Sequence, residues 1–312
     1  GLGDVYKRQF EVSQYGLNCA QRLPGDSIFV VGVDTRFHLF GPRGEKVRSG
    51  KLPLYAISMN SYYMDEGHLV VQELRDGPEG PEAPHTAFKV LDLKSGEISP
   101  VATYPFDRTL SLDGLAFEVP FAARPYGDAG AGRFWYGYSD KGEIYSVSFG
   151  GEPPDTIRTG APRVSVSREH RKLYEEIDYE YWSGIHPSGR MPIVSRHHRR
   201  VEYPDSFPAF QGIQVAEDGN VWILRYEPRW SQEDYVWDVF DPSGTRLGSA
   251  IFPFDAISRC FRTWPFGGCS WKTILEIGDD YVLTAHRDEL SVQRIKKFRL
   301  LKGSVRPERR SK

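Results

Sequence analysis

The chain has 312 residues, 13% of them aromatic and 26% charged, with a formal net charge of -2. That balance gives no electrostatic reason to expect nucleic acid or an anionic membrane as partner, and no stretch approaches the roughly 18 apolar residues that span a bilayer. Three cysteines are too few for a disulfide scaffold, while 31 glycines and 22 prolines fall between short apolar runs, as in turn-rich β proteins.

In chain order, the opening GLGDVYKRQ (1–9) resembles translated adapter read-through at the end of a metagenomic contig and is set aside from the fold. On this expectation the native chain begins upstream of Phe10 and the sequence is an N-terminally truncated fragment. Cys19 reads as a small buried apolar residue. A turn followed by a strongly apolar strand then recurs: GDSIFVVGV (25–33), EGHLVVQEL (66–74), AGRFWYGYS (131–139), EDGNVWILRY (217–226) and GDDYVLTAH (278–286). Interleaved with these is a second unit, a hairpin around Asp, Pro, Ser or Gly: HLFGPRGEKV (38–47), KVLDLKSGEI (89–98) and DVFDPSGTRL (238–247). Pro supplies a fixed negative φ and Gly a positive one, so the chain reverses at little cost.

Gly44, Gly96 and the Gly150/Gly151 turn are spaced by about 50 residues, a blade-like period. The expected fold is therefore all-β, a propeller of four-stranded antiparallel blades over 10–303. Five blades are expected, at 12–50, 55–104, 113–160, 205–253 and 271–303, the last with three strands. A propeller closes by completing one blade with strands from both termini, so five blades with an open seam imply a six-bladed ring lacking its beginning. GDAGAGRF (127–134) reads as a turn into an aromatic strand rather than a phosphate loop, because no strand–loop–helix context surrounds it.

The segment 161–204 breaks the period and reads as a helical insertion. SREHRKLYEEIDYEYWSG (167–184) has a Ser start, a Gly stop and an apolar stripe of Leu173, Ile177 and Tyr181. The polar MPIVSRHHRRVEYPDS follows. His170, His186, His197 and His198, with Asp178 and Asp205 nearby, lack helical ligand spacing among the histidines, and the stretch is read as a solvated connector rather than a metal site. Further on, Cys260 and Cys269 flank a Gly/Pro loop (258–270) that could bridge them in an oxidising compartment, with Trp264 and Trp271 beside it. Residues 304–312 form a basic tail.

FPAFQGIQVAEDGNVWILRYEP, WDVFDPSGTRLGSAIFP and GDDYVLTAHRDELSVQRIKKFRL together resemble a bacterial family of six-bladed β-propellers related to NHL-repeat proteins. The matching features are DGNVWILRY (218–226), VFDPSGTRLG (239–248) and RDEL (287–290), with the helical insertion after the third blade. The resemblance covers most of 20–302. It implies the six-bladed architecture and, since the family is mostly exported, an extracytoplasmic location in the periplasm or at the cell surface. Because its motifs are turn and core residues, it implies no activity.

No nucleophile elbow, zinc-protease, Cys-x-x-Cys or phosphate-loop motif is present. The loops between second and third strands are expected to gather on one face, presenting Asp34, Arg36, Tyr138, Arg225, Tyr226, Arg229, Trp230, Arg287, Asp288 and Glu289. Arg and aromatic residues are over-represented at binding hot spots; the competing reading has Arg225, Arg287 and Glu289 form ion pairs tying blades together. Trp222, Trp237 and Phe240 alternate along strands and read as core. The expected function is a non-catalytic binding or scaffold propeller for a peptide, glycan or protein partner, without cofactor or resident metal. The alternative is a metal-dependent hydrolase or lactonase in the central channel. Regucalcin-type lactonases hold their metal with one Glu, two Asn and one Asp; here the only asparagines are Asn18, Asn60 and Asn220, and Asn220 sits in a turn.

Overall fold

The computed structural model describes residues 17–22, 27–32, 36–51, 57–65, 67–75, 85–105, 109–112, 115–148, 154–185, 191–228, 234–253, 274–287 and 293–301. These residues form consecutive antiparallel meanders. The first sheet holds β1 (Leu17–Arg22), β2 (Ile28–Gly32), β3 (Arg36–Phe40) and β4 (Lys46–Lys51), hydrogen-bonded in that order. The second holds β5 (Ile57–Asp65), β6 (His68–Arg75), β7 (His85–Asp92) and β8 (Ile98–Pro105). A two-stranded hairpin, β9 (Thr109–Leu112) with β10 (Leu115–Glu118), precedes the third sheet. That sheet holds β11 (Pro125–Gly130), β12 (Arg133–Tyr138), β13 (Glu143–Ser148) and β14 (Thr156–Arg158). Two helices follow, α1 (Arg168–Ile185) and α2 (Met191–Arg200). The fourth sheet is β15 (Phe210–Val215), β16 (Val221–Arg225), β17 (Tyr235–Phe240) and β18 (Arg246–Phe252); the fifth, among the described residues, is β19 (Ile274–Ile277), β20 (Tyr281–Arg287) and β21 (Gln293–Arg299).

The turns explain the meander. At the β7–β8 and β17–β18 reversals, Asp92 and Asp241 accept backbone N–H bonds from Lys94 (2.6 Å) and Ser95 (2.8 Å), and from Ser243 and Thr245 (both 2.9 Å). Backbone hydrogen bonds from Ser95 and Lys94 hold the Asp92 carboxyl below its usual pKa, and the Ser243 hydroxyl, with backbone donors, does the same for Asp241. Each turn ends at a glycine of positive φ, 79° at Gly96 and 88° at Gly244, where a Cβ would be strained.

Core packing shows how the sheets are arranged. Phe29, Val31 and Phe37 of the first sheet meet Leu69, Val71 and Leu91 of the second. The opposite face of the second, with Val70, Phe88 and Val90, meets Phe134 of the third. Trp135, next in sequence and on the other face, packs with Ile144 and Ile157 against Phe210, Val221, Ile223 and Phe240 of the fourth. Trp222, Leu224 and Trp237 then face Ile274, Ile277 and Val282 of the fifth. Each inner sheet is thus covered on both faces, and the first strands β1, β5, β11 and β15 are neighbours in succession. The fold is all-β and propeller-like. Trp222, Trp237 and Phe240 are buried as expected.

The glycine-rich stretch differs from its expected role as a turn. Gly127 and Gly130 lie within β11, and only Ala131–Gly132 turns. A Cβ on Gly127 would come within 2.5 Å of the Phe134 ring, and one on Gly130 within 2.7 Å of Val215. These glycines permit close approach. Between them, Asp128 accepts the Val215 N–H at 2.9 Å, bonding the third sheet to the fourth.

Candidate functional site: the loop-bearing end and its helical cap

In an antiparallel meander, the loop after the second strand and the connection after the fourth leave from the same end. Contacts between sheets show that these ends share a face. Tyr104, next to last in β8, stacks on Tyr138, which ends β12, with ring centroids 5.4 Å apart and planes 7° from parallel. Ser139, in the β12–β13 loop, accepts the backbone N–H of Ala209 at 2.7 Å, just before β15. Tyr226, following β16, stacks on Phe207 at 5.3 Å.

Two connections build a cap there. Val166 donates to the Asp205 carbonyl and Phe207 to the Val164 carbonyl, each at 2.9 Å, so the helical excursion leaves and returns through a narrow neck. Ser167 starts α1 with a reciprocal cap: its hydroxyl accepts from the His170 N–H (3.3 Å), and its own N–H donates to His170 Nδ1 (3.1 Å). His170 takes the part usually filled by Glu or Gln. Phe121, from the link after β10, joins Val166 and Phe207 in the cap core, lined by Tyr174, Tyr203 and Tyr226.

The helices correct two expectations. The packed stripe of α1 holds Tyr174, Asp178 and Trp182, one residue round from the expected stripe at Leu173 and Ile177; the side chain of Tyr181, the third expected member, lies outside the described residues. Leu173 and Ile177 are 36% and 37% exposed, whereas Trp182 is 3% exposed. The polar stretch after α1 is not a solvated connector: residues 191–200 are helical, and His197 is buried. His198 Nε2 lies 2.8 Å from Asp178 Oδ2, with both side chains at most 10% exposed. Burial, reinforced by the neighbouring His198 and opposed by Asp178, pushes the His197 pKa down to about 4. Tyr203 donates to Glu175 at 3.1 Å beneath the Arg171 guanidinium, 5.3 Å from its ring.

The predicted loop residues do not converge on one point. Arg36 opens β3 and is exposed. Tyr226 is committed to the cap core. Arg225 forms a bidentate pair with Asp238 on the adjacent β17 (2.7 and 2.9 Å), within its own sheet rather than between sheets as the ion-pair reading had it. Arg287 ends β20. Asp34, Arg229, Trp230, Asp288, Glu289, Cys260 and Cys269 lie outside the described residues.

Tyr138 belongs to a tyrosine seam between the second and third sheets. Tyr136 stacks on Phe134 (5.6 Å) and lies 6.1 Å from Tyr145, whose hydroxyl donates to Glu143 Oε2 at 2.7 Å. Glu143 also accepts from Arg158 Nε at 3.4 Å. Burial pushes the Tyr104 phenol well up, and nearby Tyr136, Tyr145 and Asp140 add to it. Burial likewise raises Tyr136, and the bond to Glu143 raises Tyr145. The seam therefore offers uncharged ring faces and hydroxyls beside carboxylates, which suits stacking and hydrogen bonding. Among the described residues, no group of three or more His, Cys, Asp or Glu converges.

No family model and no curated protein matches the chain. Among solved structures, an auxiliary nutrient binding protein from Bacteroides thetaiotaomicron aligns at 10% identity and TM-score 0.37, over 76% of this chain and 42% of that one. A eukaryotic initiation factor aligns at 12% identity and TM-score 0.34, over 78% and 46%. Raptor from Chaetomium thermophilum aligns at 10% identity and TM-score 0.41, over 95% and 20%. The chain spans less than half of each, and similarity at this level carries no argument about function.

Proposed function

We propose that the chain is a non-catalytic binding module, a propeller that holds a peptide, glycan or protein partner on its loop-bearing end. The observation that carries this reading is the seam of Tyr104, Tyr136, Tyr138 and Tyr145, four partly exposed rings gathered at one sheet junction beside Glu143. Aromatic rings supply large contact area at low entropic cost, and their hydroxyls add direction. The six-bladed, NHL-related architecture and an extracytoplasmic location belong to the same proposal and rest on the motifs at 218–226, 239–248 and 287–290. Among the described residues no helix is long and apolar enough to cross a membrane.

The test is a glycan and peptide array, followed by calorimetry on any hit. Tyr138→Ala and Tyr145→Ala are each expected to weaken binding about tenfold or more, while Leu173→Ser leaves it unchanged. A hit indifferent to both tyrosine variants would remove the seam from the binding surface, and turnover of the ligand would overturn the non-catalytic reading.

A further inference from the structure

On the flank of the fourth sheet, Asp238 is 3% exposed. Its Oδ2 accepts from Arg225 Nε at 2.7 Å. Its Oδ1 accepts from Arg225 Nη2 (2.9 Å), Arg246 Nε (3.3 Å), Arg246 Nη2 (2.7 Å) and the Ser249 hydroxyl (2.8 Å). Arg246 Nη2 also bonds Ser249 at 2.6 Å. Each carboxylate oxygen offers about two lone-pair sites, so Oδ1 is fully engaged. Asp238 nonetheless carries one negative charge against two guanidiniums.

Each guanidinium commits only its Nε–Nη2 edge to this arrangement. Both side chains remain nearly half exposed, 45% for Arg225 and 48% for Arg246. Among the described residues, their Nη1 groups make no hydrogen bond or ion pair. Because both Nη2 atoms bond the same oxygen, the two cations sit side by side. Asp238 therefore fixes the side-chain geometry that a guanidinium otherwise loses entropy to adopt on binding. An aliphatic shoulder lies beside them: Val236 pairs with Ile251, two residues along from the Asp238–Ser249 pair on the same sheet face, and Ile251 is 52% exposed.

We infer that Arg225 and Arg246, held by Asp238, form a recognition site for an oxyanion: a carboxylate, phosphate or sulfate group on a ligand. A guanidinium fork matches such groups in geometry, and charge-assisted bonds of this kind are among the strongest available. The site lies apart from the tyrosine seam and does not rest on the function proposed for it. One acidic neighbour opposes it. The charge of Glu227 acts on Arg225 and so weighs against an anion at the site.

Inorganic phosphate, sulfate and acetate, titrated separately into the full chain at low ionic strength, test this through the side-chain Nε–H resonances of the arginines. Saturable shifts of Arg225 and Arg246 are expected. A phosphate and sulfate response exceeding that of acetate assigns a tetrahedral group, and the reverse order a carboxylate. Arg246→Gln should weaken binding by about tenfold. Since that substitution disturbs a buried carboxylate, Glu227→Gln provides the control outside the network and should tighten binding severalfold. Absence of saturable shifts in the wild-type chain, or unchanged affinity in Glu227→Gln together with a correctly folded Arg246→Gln, overturns the site.

Discussion

His197 is a buried titratable group whose protonation the fold opposes. Its pKa falls from the ordinary 6.5 to about 4 because burial disfavours the imidazolium and His198 stands beside it. The unfolded chain therefore binds the proton more readily than the folded one. Stability contributed by neutral His197 is complete above pH 6.5 and is lost as pH falls from there towards 4. Its magnitude reaches about 3 kcal/mol when the whole shift is realised. Urea unfolding at pH 7.5, 5.5 and 4.5 should show this decline, and His197→Phe should flatten it. A decline that survives in His197→Phe would assign the pH dependence to other groups. None of this was legible in the string SRHHRR, which suggests solvation. The partner of His198 is Asp178, on the other helix, and only the packing of α1 against α2 joins them. Arg225 teaches the same lesson, since nothing in its neighbourhood points to Asp238 until β16 and β17 are in register.

At the scale of elements, local signals that depend on backbone geometry were readable. The Asp-Pro-Ser-Gly and Asp-Leu-Lys-Ser-Gly reversals fall where expected, because a side-chain acceptor and a positive φ are properties of the short sequence itself. The orientation of α1 was not, because Leu173–Ile177–Tyr181 and Tyr174–Asp178–Trp182 have the same spacing and differ only by a rotation of the helix. Tertiary partners decide between them: Phe121 lies edge-on to Tyr174 at 5.5 Å, and His198 supplies the partner that allows Asp178 to be buried. The consequence is measurable. Leu173→Ser should change stability by no more than about 0.5 kcal/mol, whereas Trp182→Ala should cost the cap about 3–5 kcal/mol. Comparable losses from the two substitutions in chemical denaturation would mean that the outer stripe is packed in solution.

For the whole molecule, the succession of four-stranded sheets was legible in the recurring turn-and-strand units and their spacing of about 50 residues. Strands such as LVV (69–71) and VWIL (221–224) carry apolar residues on both faces because a neighbouring sheet covers each face. Such stacking makes each interface common property of two sheets. Trp135 is 1% exposed and belongs to the third sheet, yet its packing partners include Phe210, Val221, Ile223 and Phe240 of the fourth. Trp135→Ala removes a ring from that shared core at a cost of about 3–5 kcal/mol. If the stack unfolds as neighbouring units, hydrogen exchange should accelerate together in β12–β13 and β16–β17, while β2–β3, two interfaces away, gains less. Acceleration confined to β12–β13 would show that the third sheet opens alone, and that the Asp128–Val215 hydrogen bond and the interface around Phe240 do not couple the two. Equal acceleration everywhere would instead make the chain one cooperative unit, with the cap and the tyrosine seam losing structure in the same transition.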